Sequence, residues 1–306
     1  MKKVLIAAPV SDSCIQILTD KGYTPIYLNE AGNTEKYPAI TGIITSNKFI
    51  LDKNGLQAFP DLTWIGRLGS GMEIIDTVYC DEHGIRYFNS PNGIANSVAE
   101  HIMGMLLCLR HHILRSHTEI QNGQWIREAN RGLELEGLTV GIIGYGHTGK
   151  ALANKLSVFT KNILVYDKYK SGFGTDIIQE VTLAKLQDQV DVISFHTPLN
   201  KETFHYYDED FMSRMKKPHI LINAARGPVI STDMILTGLR SGKITGACLD
   251  VLEEEKNISS VLEQEDNKIH ELLSYPVIIT PHIAGYSHNA VEKMSKELME
   301  QLQDIL

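Results

Sequence analysis

Arg226, Glu255 and His282 lie far apart in the chain, yet they are the residue types that reduction of a 2-keto acid requires. Such chemistry needs a cation on the substrate carboxylate, a donor that polarises and then protonates the keto oxygen, and a hydride held over the carbon. The planar fork of Arg226 can grip a carboxylate through two bonds, which a lysine cannot match. His282 suits the donor role because an imidazole can give a proton in one direction and take it back in the other. A carboxylate such as Glu255 on the second ring nitrogen orients the ring and favours imidazolium. Singly, each residue has an ordinary explanation. An arginine before a glycine is usually a surface residue, a lone histidine is usually structural, and Glu255 shares an acidic run with Glu253 and Glu254 that water alone could satisfy. Their order and their surroundings set them apart.

The hydride carrier has a signature of its own. Gly144, Gly146 and Gly149 stand in G-x-G-x-x-G spacing between an apolar run, 138–143, that reads as a strand and a helical pattern opening at Lys150. In that setting the first glycine permits a tight turn, the second lets a pyrophosphate approach the backbone, and the third lets helix and strand pack closely. N–H groups at the helix start then face the phosphates. Asp167 follows a second apolar run, 163–166, where an acid can bond the ribose hydroxyls of an adenosine and repel a 2′-phosphate. The acid favours NAD, with NADH as its reduced form, over NADP. Lys168 and Lys170 pull the other way, since either could partly neutralise that phosphate. A methyltransferase binding S-adenosylmethionine shares the strand, turn and acid, but leaves Arg226, Glu255 and His282 without a role.

The elements that must position these groups alternate between strand and helix patterns. Apolar runs at 4–8, 25–28, 42–45, 64–68 and 85–89 read as strands of a first parallel α/β unit. A long helix is expected over 96–117, capped by Asn96 or Ser97 with Glu100 in its first turn, bridging two domains. Six further strands, at 138–143, 163–166, 190–195, 219–223, 244–250 and 277–280, make a second unit of the size dinucleotide binding needs. Val291, Met294, Leu298, Leu302 and Leu306 recur at helical spacing and predict a terminal helix over 289–306.

Composition bounds the reading. The chain has 306 residues, 43% hydrophobic and 22% charged, which is ordinary for a globular protein with two domains. Its net charge of −8, with no long basic run, argues against nucleic-acid or anionic-membrane partners. The lysines and apolar run at 1–10 resemble a short signal peptide, but a first buried strand looks the same and is the preferred reading. No stretch reaches the length of a membrane span. Cys14, Cys80, Cys108 and Cys248 are scattered without a C-x-x-C pair, consistent with free thiols in a reducing cytoplasm. His101, His111, His112 and His117 could suggest a metal cluster, but His112 and His117 do not share helical spacing, and no metal is expected.

A series of motifs between about Trp64 and Gly285 carries a family resemblance. It comprises Gly66-Arg67-Leu68-Gly69-Ser70-Gly71 leading to Ile75-Asp76, then Asn89-Ser90-Pro91, Ser97 to His101, Trp125 and Arg127, and Gly132 to Gly137. After the glycine loop come His196-Thr197-Pro198-Leu199, Asn223 to Gly227, Leu249-Asp250-Val251 and Thr280 to Gly285. The chain resembles the D-isomer-specific 2-hydroxyacid dehydrogenases, the group that includes D-lactate, glyoxylate/hydroxypyruvate and 3-phosphoglycerate dehydrogenases. The resemblance implies a Rossmann NAD-binding domain over 97–285 and a discontinuous, flavodoxin-like substrate domain over 1–96 and 286–306, with a cleft between them. It implies a catalytic trio of Arg226, Glu255 and His282. It implies cofactor contacts from the loop residues Gly144, Gly146, His147, Thr148 and Gly149, from Asp167, and from Ser97, His196, Thr197, Pro198, Ala224, Asp250 and Gly285. Asp250 corresponds to the family acid near the nicotinamide carboxamide. Ser70 and Gly71 offer backbone N–H groups to the substrate carboxylate, beside Arg226 and His282, and a homodimer through the NAD-binding domain follows the family habit.

The sequence departs from the family pattern at two points. Lys256 stands where proline usually follows the catalytic glutamate, and His147 where many members have an arginine against the pyrophosphate. Substrate identity is left open between 3-phosphoglycerate and glyoxylate or hydroxypyruvate. Ser46 occupies the place of an arginine that phosphoglycerate enzymes use for the phosphate, and Lys48 could replace its charge. With no appended regulatory domain in the sequence, serine feedback is not expected. The acid-rich stretch 257–270 has no assigned task. An NAD-sensing corepressor of the same fold is the alternative, since such relatives keep much of the trio.

Overall fold

The computed structural model describes residues 2–28, 39–47, 49–263 and 267–306. Lys48 therefore lies outside the described residues. The chain divides into two compact units, Met1–Ser97 with Gly285–Leu306, and Val98–Ala284.

In the first unit, β1 (Lys2–Ala7), β2 (Tyr23–Tyr27), β3 (Ile40–Thr45), β4 (Trp64–Arg67) and β5 (Arg86–Asn89) form a parallel sheet in the order β2-β1-β3-β4-β5. Successive side chains go to opposite faces. Val4, Ile6, Ile44 and Trp64 join one core with Leu18 of α1 (Asp12–Asp20), whereas Leu5, Ile43 and Ile65 join the other with Leu56 of α2 (Lys53–Leu56) and Cys80 of α3 (Thr77–His83). A sheet covered on both faces explains why its strands read as unbroken apolar runs. The terminal helix, His288–Leu302, packs here. Leu298 fills the space a side chain at Gly66 would need, 2.6 Å from where a Cβ would sit.

In the second unit, β6 (Thr139–Ile143), β7 (Asn162–Tyr166), β8 (Ile178–Glu180), β9 (Val192–Phe195), β10 (His219–Asn223), β11 (Ile244–Leu249) and β12 (Val277–Ile279) form a parallel sheet. The order is β12-β11-β10-β9-β6-β7-β8. The order reverses between β6 and β9, the switch point at which doubly wound sheets bind ligands beyond their carboxyl ends. Its α-helices among the described residues are α4 (Pro91–Arg110), α5 (Ile113–Gln121), α6 (His147–Leu156), α7 (Leu183–Gln189), α8 (Glu209–Arg214), α9 (Thr232–Arg240), α10 (Ile258–Leu262) and α11 (Lys268–Leu273); α4 begins before the unit boundary.

Three expectations are corrected. The sheet has a seventh strand, β8, whose three residues include only one buried side chain, Ile178. The long helix starts at Pro91, so Asn96 and Ser97 lie inside it and Glu100 is not in its first turn. It also stops at Arg110, because His112 adopts a left-handed backbone, φ 53°, before α5 begins.

Candidate active site

The charged residues singled out in the second unit all lie beyond the carboxyl ends of its strands. After β10, Asn223 shapes the Arg226 loop from within. Almost fully buried, it accepts from the Ala225 N–H at 3.1 Å, donates to the Arg226 carbonyl at 3.0 Å, and takes the Asp250 N–H on its own carbonyl at 2.9 Å. The guanidinium of half-buried Arg226 donates to the Ala225 carbonyl at 2.7 Å. Gly227 is obligatory, since a Cβ there would run into the Leu252 carbonyl.

After β11 and β12, Asp250 organises the turn that carries His282. Only 1% exposed, its carboxylate accepts from Thr280 Oγ1 at 2.6 Å, Ile283 N at 2.9 Å and Ala284 N at 2.9 Å, and its carbonyl accepts from His282 N at 2.8 Å. His101 on α4 braces the same cluster, its Nε2 2.9 Å from Thr280 Oγ1. Within this frame His282 sits at φ 55°, in the left-handed region, and its Nδ1 meets Glu255 Oε1 in a short contact. The other two glutamates are not merely solvated. Glu253 pairs with His205 Nε2 at 2.6 Å, and Glu254 accepts from Thr232 Oγ1 at 2.5 Å. Three consecutive carboxylates thus reach three separate partners, and Glu255 is the one aimed at His282.

The glycine loop occupies the switch point. Gly144 has φ 95°, and a Cβ would lie 2.6 Å from the His196 carbonyl; a Cβ on Gly149 would strike the Gly144 carbonyl. A Cβ on Gly146 would meet nothing within 4 Å. That open side faces the start of α6, whose first turn has no side-chain cap. Thr148 and His196 tie the loop to β9: His196 Nδ1 is 3.1 Å from Thr148 Oγ1 and its Nε2 2.9 Å from Ser194 Oγ. Burial of this ring pulls its pKa down to about 4, so it is neutral and structural at ordinary pH. Asp167 at the end of β7 accepts backbone N–H groups from Tyr145 at 2.7 Å, Tyr169 at 2.9 Å and Lys170 at 3.0 Å. Burial pushes its carboxyl upward, but these three donors and the nearby Lys170 outweigh that and hold its pKa below the usual carboxylate value.

In the first unit, Ser70 and Gly71 follow β4, with the Ser70 carbonyl held by Asn89 Nδ2 at 2.8 Å and Gly69 N donating to Ser90 Oγ at 3.1 Å. Beneath them lies Arg67, only 4% exposed, donating to the Leu68 carbonyl at 2.6 Å and to Asn47 on the loop after β3.

The family model for the NAD-binding domain of D-isomer-specific 2-hydroxyacid dehydrogenases matches residues 103–284. The chain belongs to that family. A hydroxypyruvate reductase from Thermotoga maritima is 30% identical over 305 residues, covering 98% of this chain and 97% of its own. A D-3-phosphoglycerate dehydrogenase from Methanocaldococcus jannaschii is 29% identical over the whole chain, which spans 58% of that relative's length. Among solved structures, the D-lactate dehydrogenase of Aquifex aeolicus, complexed with NAD and lactic acid, superposes with a TM-score of 0.80 at 29% identity, covering 99% of this chain and 94% of its own.

The switch point of this family member fits a dinucleotide on two observations of its own. The space in front of Gly146 is open to a phosphate beside backbone N–H groups. Thr197, on the loop after β9, has a buried hydroxyl with no hydrogen-bond partner among the described residues, a costly arrangement unless a ligand completes it. His147, Thr148 and Gly149 form the first turn of α6, with His147 exposed, as is Pro198 beside Thr197. Ala224 adjoins the Asn223 turn, Ser97 is an interior residue of α4, and Gly285 follows the Asp250-bound turn. His205 is the site-shaping residue that sequence reasoning missed altogether; His101, Asn223 and Thr280 stand in the family motifs, but the bonds by which His101 and Thr280 brace the Asp250 turn reach across the chain and were not read from them.

Proposed function

We propose that the protein is an NAD-dependent dehydrogenase that interconverts a D-2-hydroxy acid and its 2-keto acid by hydride transfer. The observation that carries this reading is the His282–Glu255 pair on the Asp250-braced turn, on the same sheet edge as Arg226 and the glycine loop. The bound nicotinamide would supply or accept the hydride. Arg226 would take the substrate carboxylate, with backbone N–H groups of Ser70 and Gly71 from the first unit as the substrate domain's share. His282 would donate its Nε2 proton to the keto oxygen in reduction and recover it in oxidation, while Glu255 at Nδ1 stabilises the imidazolium between these steps. Gly144, Gly146, His147, Thr148 and Gly149 would hold the pyrophosphate and Asp167 the adenosine ribose. Ser97, His196, Thr197, Pro198, Ala224, Asp250 and Gly285 would border the rest, with His196 acting through Thr148.

NAD is favoured over NADP by the Asp167 carboxylate, which its three backbone donors keep ionised. The substrate is left between 3-phosphoglycerate and glyoxylate or hydroxypyruvate: Lys48 would be the cation for a second anionic group such as a phosphate, whereas Arg67 is buried and turned inward to Leu68 and Asn47. A homodimer through the second unit is supported by α5, which buries none of its nine residues, and by exposed Trp125, Ile126 and Leu133 after it. The four free cysteines fit a reducing, cytoplasmic setting.

The test is loss of reduced-nicotinamide absorbance with glyoxylate, hydroxypyruvate, pyruvate, 2-ketoglutarate and 3-phosphohydroxypyruvate, each with NADH and NADPH. Turnover with NADH on at least one acid is the expected result. Silence on all of them, with NADH binding intact, would replace this reading with an NAD-sensing one.

A further inference from the structure

Two lysines follow the ribose-binding acid, and either one is a natural partner for a 2′-phosphate. The structure gives both of them other work. Lys170 Nζ donates to the Tyr145 carbonyl inside the glycine loop at 3.0 Å. Lys168 Nζ lies 2.8 Å from the carboxylate of Glu202, and the Tyr169 hydroxyl donates to the same carboxylate oxygen. Lys168 also stands over the Tyr169 ring, 5.4 Å from its centroid. Glu202 comes from the loop after β9, so the contact joins the two loops that follow the carboxyl ends of β7 and β9.

Glu202 is itself fixed. Its N–H donates to Asn200 Oδ1 at 2.8 Å, and the neighbouring Thr203 hydroxyl donates to the Pro198 carbonyl at 2.6 Å, so the turn is held on its own strand's loop. The carboxylate therefore approaches Lys168 from a braced turn.

We propose that Glu202 is a cofactor-specificity residue: by engaging Lys168 and Tyr169 it withdraws the one cation adjacent to Asp167 that could serve a 2′-phosphate. The inference rests on the dinucleotide reading of the switch point. It explains how a chain with lysines directly after its ribose acid can still exclude NADP, a discrimination that Asp167 alone would make less completely. Both partners are about half exposed, so the effect is that of a surface pair, modest in size and specific in sign.

The experiment is a direct binding titration of NADH and NADPH, by calorimetry, to the wild-type chain, Glu202→Gln, Lys168→Ala and the double variant. Glu202→Gln is expected to tighten NADPH by about threefold to fivefold relative to NADH. Adding Lys168→Ala should remove that gain, while Lys168→Ala alone should leave NADPH affinity close to wild type. An unchanged affinity ratio in Glu202→Gln would overturn the proposal. So would a gain that survives in the double variant, since Glu202 would then not act through Lys168. A wild-type chain that binds neither dinucleotide would instead overturn the reading of the switch point itself, which separates the two failures.

Discussion

The two sheets are built alike and furnished differently. Both are parallel, and both carry their candidate site residues beyond the carboxyl ends of the strands. In the second unit that edge bears ionisable side chains whose orientation is fixed by buried bonds, as Asp250 fixes the His282 turn and Asn223 the Arg226 loop. In the first unit the corresponding loop presents backbone at Ser70 and Gly71, over an arginine turned inward to Leu68 and Asn47. The contrast is a division: ionisable side chains are gathered beyond the second unit's sheet, and the first unit presents backbone at the corresponding place.

The largest test of that division is His282→Ala. Turnover should fall by about 10² to 10⁴ with NADH affinity retained, as loss of a general acid predicts; near-normal turnover would remove His282 from the chemistry. Arg226→Lys keeps the charge but not the fork, and kcat/KM should fall by about 10- to 100-fold, the worth of one charge-assisted bond. Unchanged kinetics would sink the carboxylate clamp.

Acid should also distinguish the units. His196 and His219 belong to the second, and burial holds each at about 4 against an ordinary 6.5; His219 is further pinned by the Tyr207 hydroxyl at 2.8 Å. Between those values the unfolded chain binds more protons than the folded one. Stability therefore rises with pH across the window and is lost as pH falls from 6.5 toward 4. Urea midpoints measured across that range should show the slope, and His219→Gln should flatten part of it; a full slope in the variant would assign the effect elsewhere. The smallest change is expected from Ser70→Ala in the first unit. Its proposed contribution is a backbone N–H, so KM should stay within about threefold of wild type, the effect of at most one weak hydrogen bond. A large increase would mean that the first unit also contributes side-chain chemistry.

Much of this was legible in the sequence because it is local. The glycine spacing, the acid after β7 and the apolar runs each depend on neighbours within a few residues. What was hidden depends on partners far along the chain. The first turn of α4 contains Asn92 and Gly93, poor helix formers that mask its start. Its N–H groups are satisfied by Glu297 of the terminal helix, 3.3 Å from Asn92 N and 2.8 Å from Gly93 N. At the end of α4, beside the left-handed His112, the returning chain takes the freed Arg110 carbonyl through Leu133 N at 3.0 Å, although apolar spacing continues through the break. β8 has three residues and two exposed side chains, too few for any periodicity. Arg226, Glu255 and His282 could be singled out from order and motif, but the braces near them, His101 to Thr280 and Glu253 to His205, join residues whose types alone give no hint of pairing.

The left-handed backbone of His282 has a bearing on how this chain could be made hardier. A non-glycine residue there costs about 1 kcal/mol relative to glycine, which adopts such angles freely. Selection for heat tolerance alone would therefore drift toward glycine at this position, and a lineage released from turnover could gain thermal resistance by discarding this histidine.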